Sequence, residues 1–258
     1  EARLARARAD MAATPEKLAP VRALMSSLRA LGRYDEAIQV GQALRARLQD
    51  GEAFDDREEQ GDWVLIQLGH SLLDTGDVAG AEAVFDEAIG SDDDRGASTD
   101  ARMNWAGRLL DLSRPRDVLK VLDGLDLDYV TPYGEAWVDS QKTCALNDTD
   151  PAAAATLLES LRKRKAENPG ALSQALICMN RLDEAAALLI WRLQTPEHRS
   201  GGLDPFWIAR PPPVVQPWLA RFESRRQALL SRPDVRAALD KVGRPVTTPL
   251  GGDYWGGF

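Results

Sequence analysis

The sequence predicts an all-α protein built from repeated helical hairpins, and two observations support this prediction. First, LGRYDEA (residues 31–37), DTGDVAGA (74–81) and MNRLDEAA (179–186) share one pattern. Each has a helix end, a Gly or Asn turn, acidic residues and then an alanine that begins a new apolar period. Second, apolar residues recur at helical spacing on both sides of each turn. A pattern that returns along the chain in this way is typical of stacked repeat architectures.

The second copy shows why these residue types suit a pair of packed helices. Gly69 and Ala81 are small enough for two helix backbones to approach closely, while Leu68 and Phe85 can fill the space beside them. Two weaker units follow, the first around Trp105–Leu122 and the second around Val138–Leu161. From these positions we expect a buried core that contains Leu24, Leu68, Phe85, Leu122, Leu158, Leu172 and Leu189.

These units resemble tetratricopeptide repeats (TPR), which are helix pairs of about 34 residues. The resemblance covers residues 1–199 and indicates a bacterial, degenerate array: a half repeat at 1–17 and then about five units. It implies a right-handed superhelix of TPR-like hairpins. Residues 200–243 are expected to form a loop and helices that cap the last apolar face of the stack. Residues 244–258 form a Gly- and aromatic-rich tail that either docks on its own chain, stays disordered or engages a partner.

Composition and charge exclude several classes of protein. The chain has 258 residues, 44% of them hydrophobic, and a net charge of −8. Binding to nucleic acid phosphates needs clustered Lys and Arg, so we expect no nucleic acid partner. No apolar run is long enough for an integral membrane segment. No metal-ligand spacing or phosphate-binding Gly loop is present, and we expect no cofactor.

The sequence offers little for catalysis. The histidines are His70 and His198, and neither lies in a recognisable nucleophile–base arrangement. His70 is followed at helical spacing by Asp74, so a hydrogen bond between them is possible, although a groove or surface histidine explains the position as well. The prediction is therefore a non-enzymatic protein, and an enzyme is kept only as a remote alternative.

The resemblance implies that a protein or peptide partner binds the concave face, which the first helices of successive units line. The most informative positions are Trp63, Ile66, His70 and Leu73, which should be partly exposed or covered only by the chain's own tail. A rival prediction is an accessory repeat protein whose groove is filled by that tail and which acts through another surface. The complete set of predicted partner-binding residues is Arg22, Ser26, Arg29, Trp63, Ile66, Gln67, His70, Leu73, Met103, Asn104, Asp139, Thr143 and Gln174.

Two further features bear on the cell compartment. Cys144 and Cys178 fall on the first helices of neighbouring units, where they are either small buried residues or a disulfide pair. The chain begins with Glu1, and residues 1–17 look like the second half of a repeat. We therefore expect export to the periplasm of a Gram-negative bacterium, with a cytoplasmic protein trimmed inside the array as the alternative. The sequence leaves the oligomeric state open.

Overall fold

The computed structural model describes residues 2–90 and 98–251, and in these ranges the chain is almost entirely helical. The α-helices are α1 (Ala2–Ala13), α2 (Ala19–Ala30), α3 (Tyr34–Gln49), α4 (Arg57–Thr75), α5 (Val78–Ile89), α6 (Ser98–Asp111), α7 (Pro115–Asp123), α8 (Pro132–Leu146), α9 (Pro151–Lys163), α10 (Pro169–Cys178), α11 (Leu182–Gln194), α12 (Arg199–Leu203), α13 (Pro217–Leu230) and α14 (Pro233–Leu239). The prediction of an all-α protein is confirmed at this level. None of the helices in the described ranges is long and apolar enough to cross a membrane.

The three repeated sequence patterns mark three helix ends of the same kind. Gly32, Gly76 and Asn180 each adopt a positive φ, at 76°, 92° and 59°. This left-handed conformation ends a helix and costs Gly, and to a lesser extent Asn, little steric strain. After Gly76, the carboxylate of Asp77 accepts a hydrogen bond of 2.9 Å from the Gly80 amide and so caps the start of α5.

Three later helices begin with a capping side chain followed by a proline. Thr131, Asp150 and Asn168 each precede a proline that occupies the first helical position. Their side chains accept hydrogen bonds of 3.0–3.2 Å from the amide three residues on. A cap of this type satisfies an amide that has no partner inside the helix, while the proline lacks an amide that would need one. The starts of α8, α9 and α10 are thus fixed locally by a capping side chain and a proline.

The chain divides into two compact units. The first contains the described parts of Glu1–Asn104, Ala209–Val215 and Pro249–Asp253. In it α1 packs on α2, and α4 packs on α2, α3 and α5. Its core includes Leu24, Leu68 and Phe85, all buried as expected. Residues 2–13 form α1, whose Leu4 and Ala7 pack against Leu24 and Leu28 of α2.

The second unit contains Trp105–Ile208 and Gln216–Thr248. Here α8 packs on α7, α9 and α10, while α13 and α14 pack against α11 and α13 also contacts α10. The predicted core residues Leu122, Leu158, Leu172 and Leu189 are buried. Helices α13 and α14 thus cover part of the last hairpin, where the sequence indicated a cap.

One feature was not predicted. Strands β1 (Trp207–Arg210) and β2 (Val246–Gly251) pair in a two-stranded sheet. The first part of the expected tail therefore forms a strand on its own chain. The aromatic residues Tyr254, Trp255 and Phe258, on which the prediction for the tail depended, lie outside the described residues.

Candidate functional site

A buried polar cluster joins α2 and α4, the two helices of the first unit that carry most of the predicted partner-binding residues. Arg29 of α2 donates a hydrogen bond of 2.9 Å to Gln67 Oε1 and another of 2.8 Å to Asp74 Oδ2, both on α4. The side chains of Arg29 and Asp74 are each only 6% exposed. A buried charge is tolerated when it is paired and hydrogen-bonded, and this pair meets both conditions. Arg29 therefore holds two helices together, whereas the sequence analysis placed it on the binding face.

His70 is also part of the packed interior of the first unit. Its Nε2 lies 3.1 Å from Asn104 Oδ1, and the Asn104 amide nitrogen donates 2.8 Å to the backbone oxygen of Asp100. Because that bond fixes the Asn104 oxygen toward the imidazole, the hydrogen bond requires His70 Nε2 to carry the proton. The imidazole also meets the Phe85 ring edge-on, with 5.7 Å between centroids. The hydrogen bond found at His70 Nε2 is therefore with Asn104. Asp74, the partner that the helical spacing suggested, pairs with Arg29.

A second region of the same face remains open. The Arg22 guanidinium lies over the indole of Trp63, 4.4 Å from the ring centroid, and donates 3.2 Å to Gln60 Oε1. Arg22 also interacts electrostatically with Asp100. Arg22, Trp63, Ser26 and Met103 are all partly exposed. This Arg22–Trp63 surface offers a flat indole, a guanidinium held against it and a small hydroxyl beside them.

One segment from the C-terminal part of the chain covers the other end of these helices. The Val214 amide donates 3.2 Å to the Asp74 carbonyl at the end of α4, and Arg210 donates 3.4 Å to the Ala30 carbonyl at the end of α2. Arg210 also bonds the Tyr34 hydroxyl, and burial raises the pKa of Tyr34. The segment Ala209–Val215 is therefore the chain's own occupant of this end.

The predicted patch is consequently exposed only in part. Trp63 is partly exposed, but Ile66, Gln67, His70 and Leu73 are buried, as are Arg29 and Asn104. We expected Ile66, His70 and Leu73 to be partly exposed or covered only by the chain's own tail. This is wrong for these three residues, because α4 is enclosed by α2, α3 and α5. A repeat position indicates which side of a helix faces a groove, but not whether the chain fills that groove.

In the second unit, the predicted residues lie around a charged cluster. Asp139 accepts a hydrogen bond from Arg164, which also donates 3.4 Å to Glu135. Burial raises the pKa of the Asp139 carboxyl, and the Arg164 guanidinium opposes that rise. Thr143 is buried and donates 2.7 Å to the Asp139 carbonyl, while Gln174 is partly exposed. Asp139 and Thr143 therefore have internal partners already.

Cys144 and Cys178 form a disulfide, a question that the sequence had left open. Their Cα atoms are 5.7 Å apart, and the bond closes a loop over a sequence separation of 34. The bond links α8 to α10, two helices that also pack on each other. In the chain-entropy account such a loop contributes about 4 kcal/mol to stability. The sequence placed both cysteines on neighbouring helices, but it did not fix the distance between their Cα atoms.

A small cavity lies against the disulfide. It encloses roughly 140 Å³ and is lined by Cys144, Asn147, Asp148, Cys178, Trp218, Arg221, Phe222 and Arg225. Trp218 and Phe222 stack with 5.3 Å between their ring centroids. Elsewhere in the described ranges, no group of three or more His, Cys, Asp and Glu side chains could hold a metal ion.

Comparison with known proteins adds no relative. No family model matches the chain, and no curated protein or solved structure is significantly similar to it. The fold and the side-chain geometry are therefore what a functional proposal can rest on.

Proposed function

We propose that this protein is a non-enzymatic scaffold that binds a peptide or partner subunit at the Arg22–Trp63 surface. The observation that carries the proposal is the partly exposed indole of Trp63, with the Arg22 guanidinium 4.4 Å from its centroid. Trp and Arg are the residue types most enriched among the anchors of protein interfaces. A partner side chain can displace water from the indole while Arg22 attracts an acidic neighbour.

The proposal includes the finer architecture that the sequence suggested. Helices α2–α5 form consecutive hairpins, and α2 packs on α4 as first helices of neighbouring repeats would. The recurrent left-handed turns at Gly32, Gly76 and Asn180 support a common repeat origin. We therefore retain TPR-like hairpins in a right-handed superhelix as part of the proposal.

A second candidate function has its own support. If the chain's own segments are the permanent occupant of the groove, the protein is an accessory repeat protein that acts through another surface. The contacts of Val214 with Asp74 and of Arg210 with Ala30 favour this reading for one end of the face. They do not involve Arg22 or Trp63, and for this reason the scaffold is preferred.

The disulfide bears on the proposed compartment. Disulfides persist in oxidising environments such as the bacterial periplasm and are rare in the cytosol. The Cys144–Cys178 bond therefore supports a periplasmic location over the cytoplasmic alternative. Rapid alkylation of the protein in intact native cells tests this, since a cytoplasmic chain would take up two labels and an oxidised periplasmic chain none.

The test of binding compares two tryptophans of one chain. Peptides selected from a random displayed library on the intact protein are titrated against Trp63→Ala and against Trp207→Ala. Trp207 is a suitable control because its side chain is 57% exposed in the second unit. We expect Trp63→Ala to lose about 2 kcal/mol of affinity, roughly 30-fold, with an unchanged melting temperature. Full binding by Trp63→Ala, or binding lost only in Trp207→Ala, would place the site elsewhere and refute the proposal.

A further inference from the structure

The disulfide-lined cavity of the second unit is shaped by the ends of three helices. Cys144 and Asn147 lie at the end of α8, Cys178 is the last residue of α10, and α13 supplies Trp218 and Arg221 across from them. Both cysteines are nearly buried, with 6% and 5% exposure. Both nonetheless line this cavity, so the cavity reaches the disulfide.

The two arginines of the cavity have different surroundings. Arg225 donates hydrogen bonds to the carbonyl oxygens of Ile177 and Cys178 and so neutralises the negative end of α10. Arg221 is four residues earlier on α13, which places it on the same helix face. It is exposed, and among the described residues it has no hydrogen bond or carboxylate partner. Asp148 is the acidic group of the cavity wall, and its carboxylate accepts a bond from Asn147.

We propose that this cavity is a thiol-exchange site, in which a small thiol that carries a carboxylate reacts with the Cys144–Cys178 disulfide. The carboxylate of the thiol binds Arg221, and its hydrocarbon part lies on the Trp218–Phe222 stack. This inference concerns the second unit and does not rest on the Arg22–Trp63 surface. It gives the Arg221 guanidinium, the aromatic stack and the disulfide a common role in one cavity.

The exchange is a two-step reduction. The thiolate of the small molecule attacks one cysteine sulfur, and the S–S electron pair leaves with the other sulfur as a thiolate, which forms a mixed disulfide. A second thiol attacks the mixed disulfide and leaves as the oxidised small-molecule dimer. The two cysteine thiolates then take up protons from water. Two electrons pass from two thiols to the protein, so no other reductant is required.

The two arginines favour this reaction at the departing sulfur, while Asp148 in the cavity wall opposes it. A cysteine thiolate is stabilised beside Arg, and a stabilised thiolate leaves faster. The carbonyl ends of α8 and α10 oppose a negative charge there, and the bonds from Arg225 offset this effect at α10. Arg221 contributes both by holding the incoming carboxylate and by adding positive charge to the cavity.

The test compares the reduction rate of the native, full-length protein by three small thiols. The probes are 3-mercaptopropionate, 2-mercaptoethanol and cysteamine, and each rate is corrected for its thiolate concentration and followed by quench labelling and mass spectrometry. We expect the carboxylated thiol to react roughly threefold to tenfold faster than the neutral one, and the cationic thiol more slowly. Added salt should reduce the difference.

Two variants make the test specific. Arg221→Gln should abolish the advantage of 3-mercaptopropionate while leaving the rate with 2-mercaptoethanol nearly unchanged. Arg116→Gln removes an equal charge from an exposed position of α7 in the same unit, and should retain the advantage. The proposal is overturned if all three thiols react equally, if Arg221→Gln slows them alike, or if reduction occurs only at denaturant concentrations that unfold the protein.

Discussion

The guanidinium of Arg29 and the carboxylate of Asp74 lie 2.8 Å apart, in the interior of the first unit, with both side chains only 6% exposed. They belong to α2 and α4, the first helices of two consecutive hairpins. A buried pair of this kind adds little net stability compared with apolar side chains, because desolvation offsets the attraction. Replacing one partner of the pair should therefore cost more stability than replacing both.

Replacing Asp74 by Asn should therefore destabilise the protein by about 3–5 kcal/mol, since it leaves a buried guanidinium without its counter-charge. The double variant Arg29→Met, Asp74→Leu should recover most of that loss. Urea unfolding followed by circular dichroism measures both. If the single variant costs less than about 1 kcal/mol, solvent reaches the pair and the cluster is not an interior one.

Gly69 and Phe85 form a second close contact, between α4 and α5. A methyl group built on Gly69 would lie 2.6 Å from Phe85 Cε2, and Phe85 is fully buried. Phe85→Ala should cost about 3–5 kcal/mol through lost burial and a cavity, and Gly69→Ala about 1–3 kcal/mol through overpacking. In the double variant the new methyl can enter the space that the ring vacated. The double variant should therefore lose less stability than the two single variants added together. Strict additivity in urea titrations would show that the ring does not pack on Gly69.

The contact between Gly69 and Phe85 was within reach of sequence reasoning, and the contact of Val214 with Asp74 was not. Small residues spaced along two apolar helices identify a close helix pair, because the pattern is local. The contact at Asp74 depends on Val214, which follows 140 residues later and carries no pattern that points to α4. Strand β2 was missed for the same reason: Val246–Gly251 is stabilised by pairing with a distant segment, and its Gly and Pro content favours a loop.

The carboxyl group of Asp204 should make the stability of the protein depend on pH. Burial raises the pKa of its carboxyl above the ordinary value, although Arg192 opposes this. The folded state therefore holds the proton more tightly than the unfolded state. This contribution to stability is complete below the unfolded pKa of about 3.9 and is lost as pH rises through the folded value.

Unfolding free energies measured between pH 4 and pH 7 test this point. The native protein should lose stability over the lower part of that range relative to Asp204→Asn, which cannot titrate at this position. Asp240→Asn removes an equal charge from an exposed site in the same unit and is the control. A native curve that runs parallel to the Asp204→Asn curve would contradict the prediction.

The last prediction separates the scaffold from its rival, in which the chain's own segments fill the groove. Those segments contact the ends of α2 and α4 at Ala30 and Asp74. Arg22 lies eight residues before Ala30, about 12 Å along the helix, and Trp63 lies eleven residues before Asp74, about 16 Å. A partner on the Arg22–Trp63 surface therefore does not need to displace them.

Two variants weaken the self-contacts: truncation after Pro245, which removes β2, and Arg210→Ala. We expect each to change the Trp63-dependent affinity for a selected peptide by less than about threefold, because the open surface is already available. If the groove is instead self-occupied, releasing the segments exposes new surface and should strengthen binding by about tenfold or more. Calorimetric titration of the same peptide into the three proteins measures the difference, and equal helical content by circular dichroism ensures that all three are folded. If either variant still binds the peptide more tightly when it also carries Trp63→Ala, the binding site lies at the end of the helices that Val214 and Arg210 now cover.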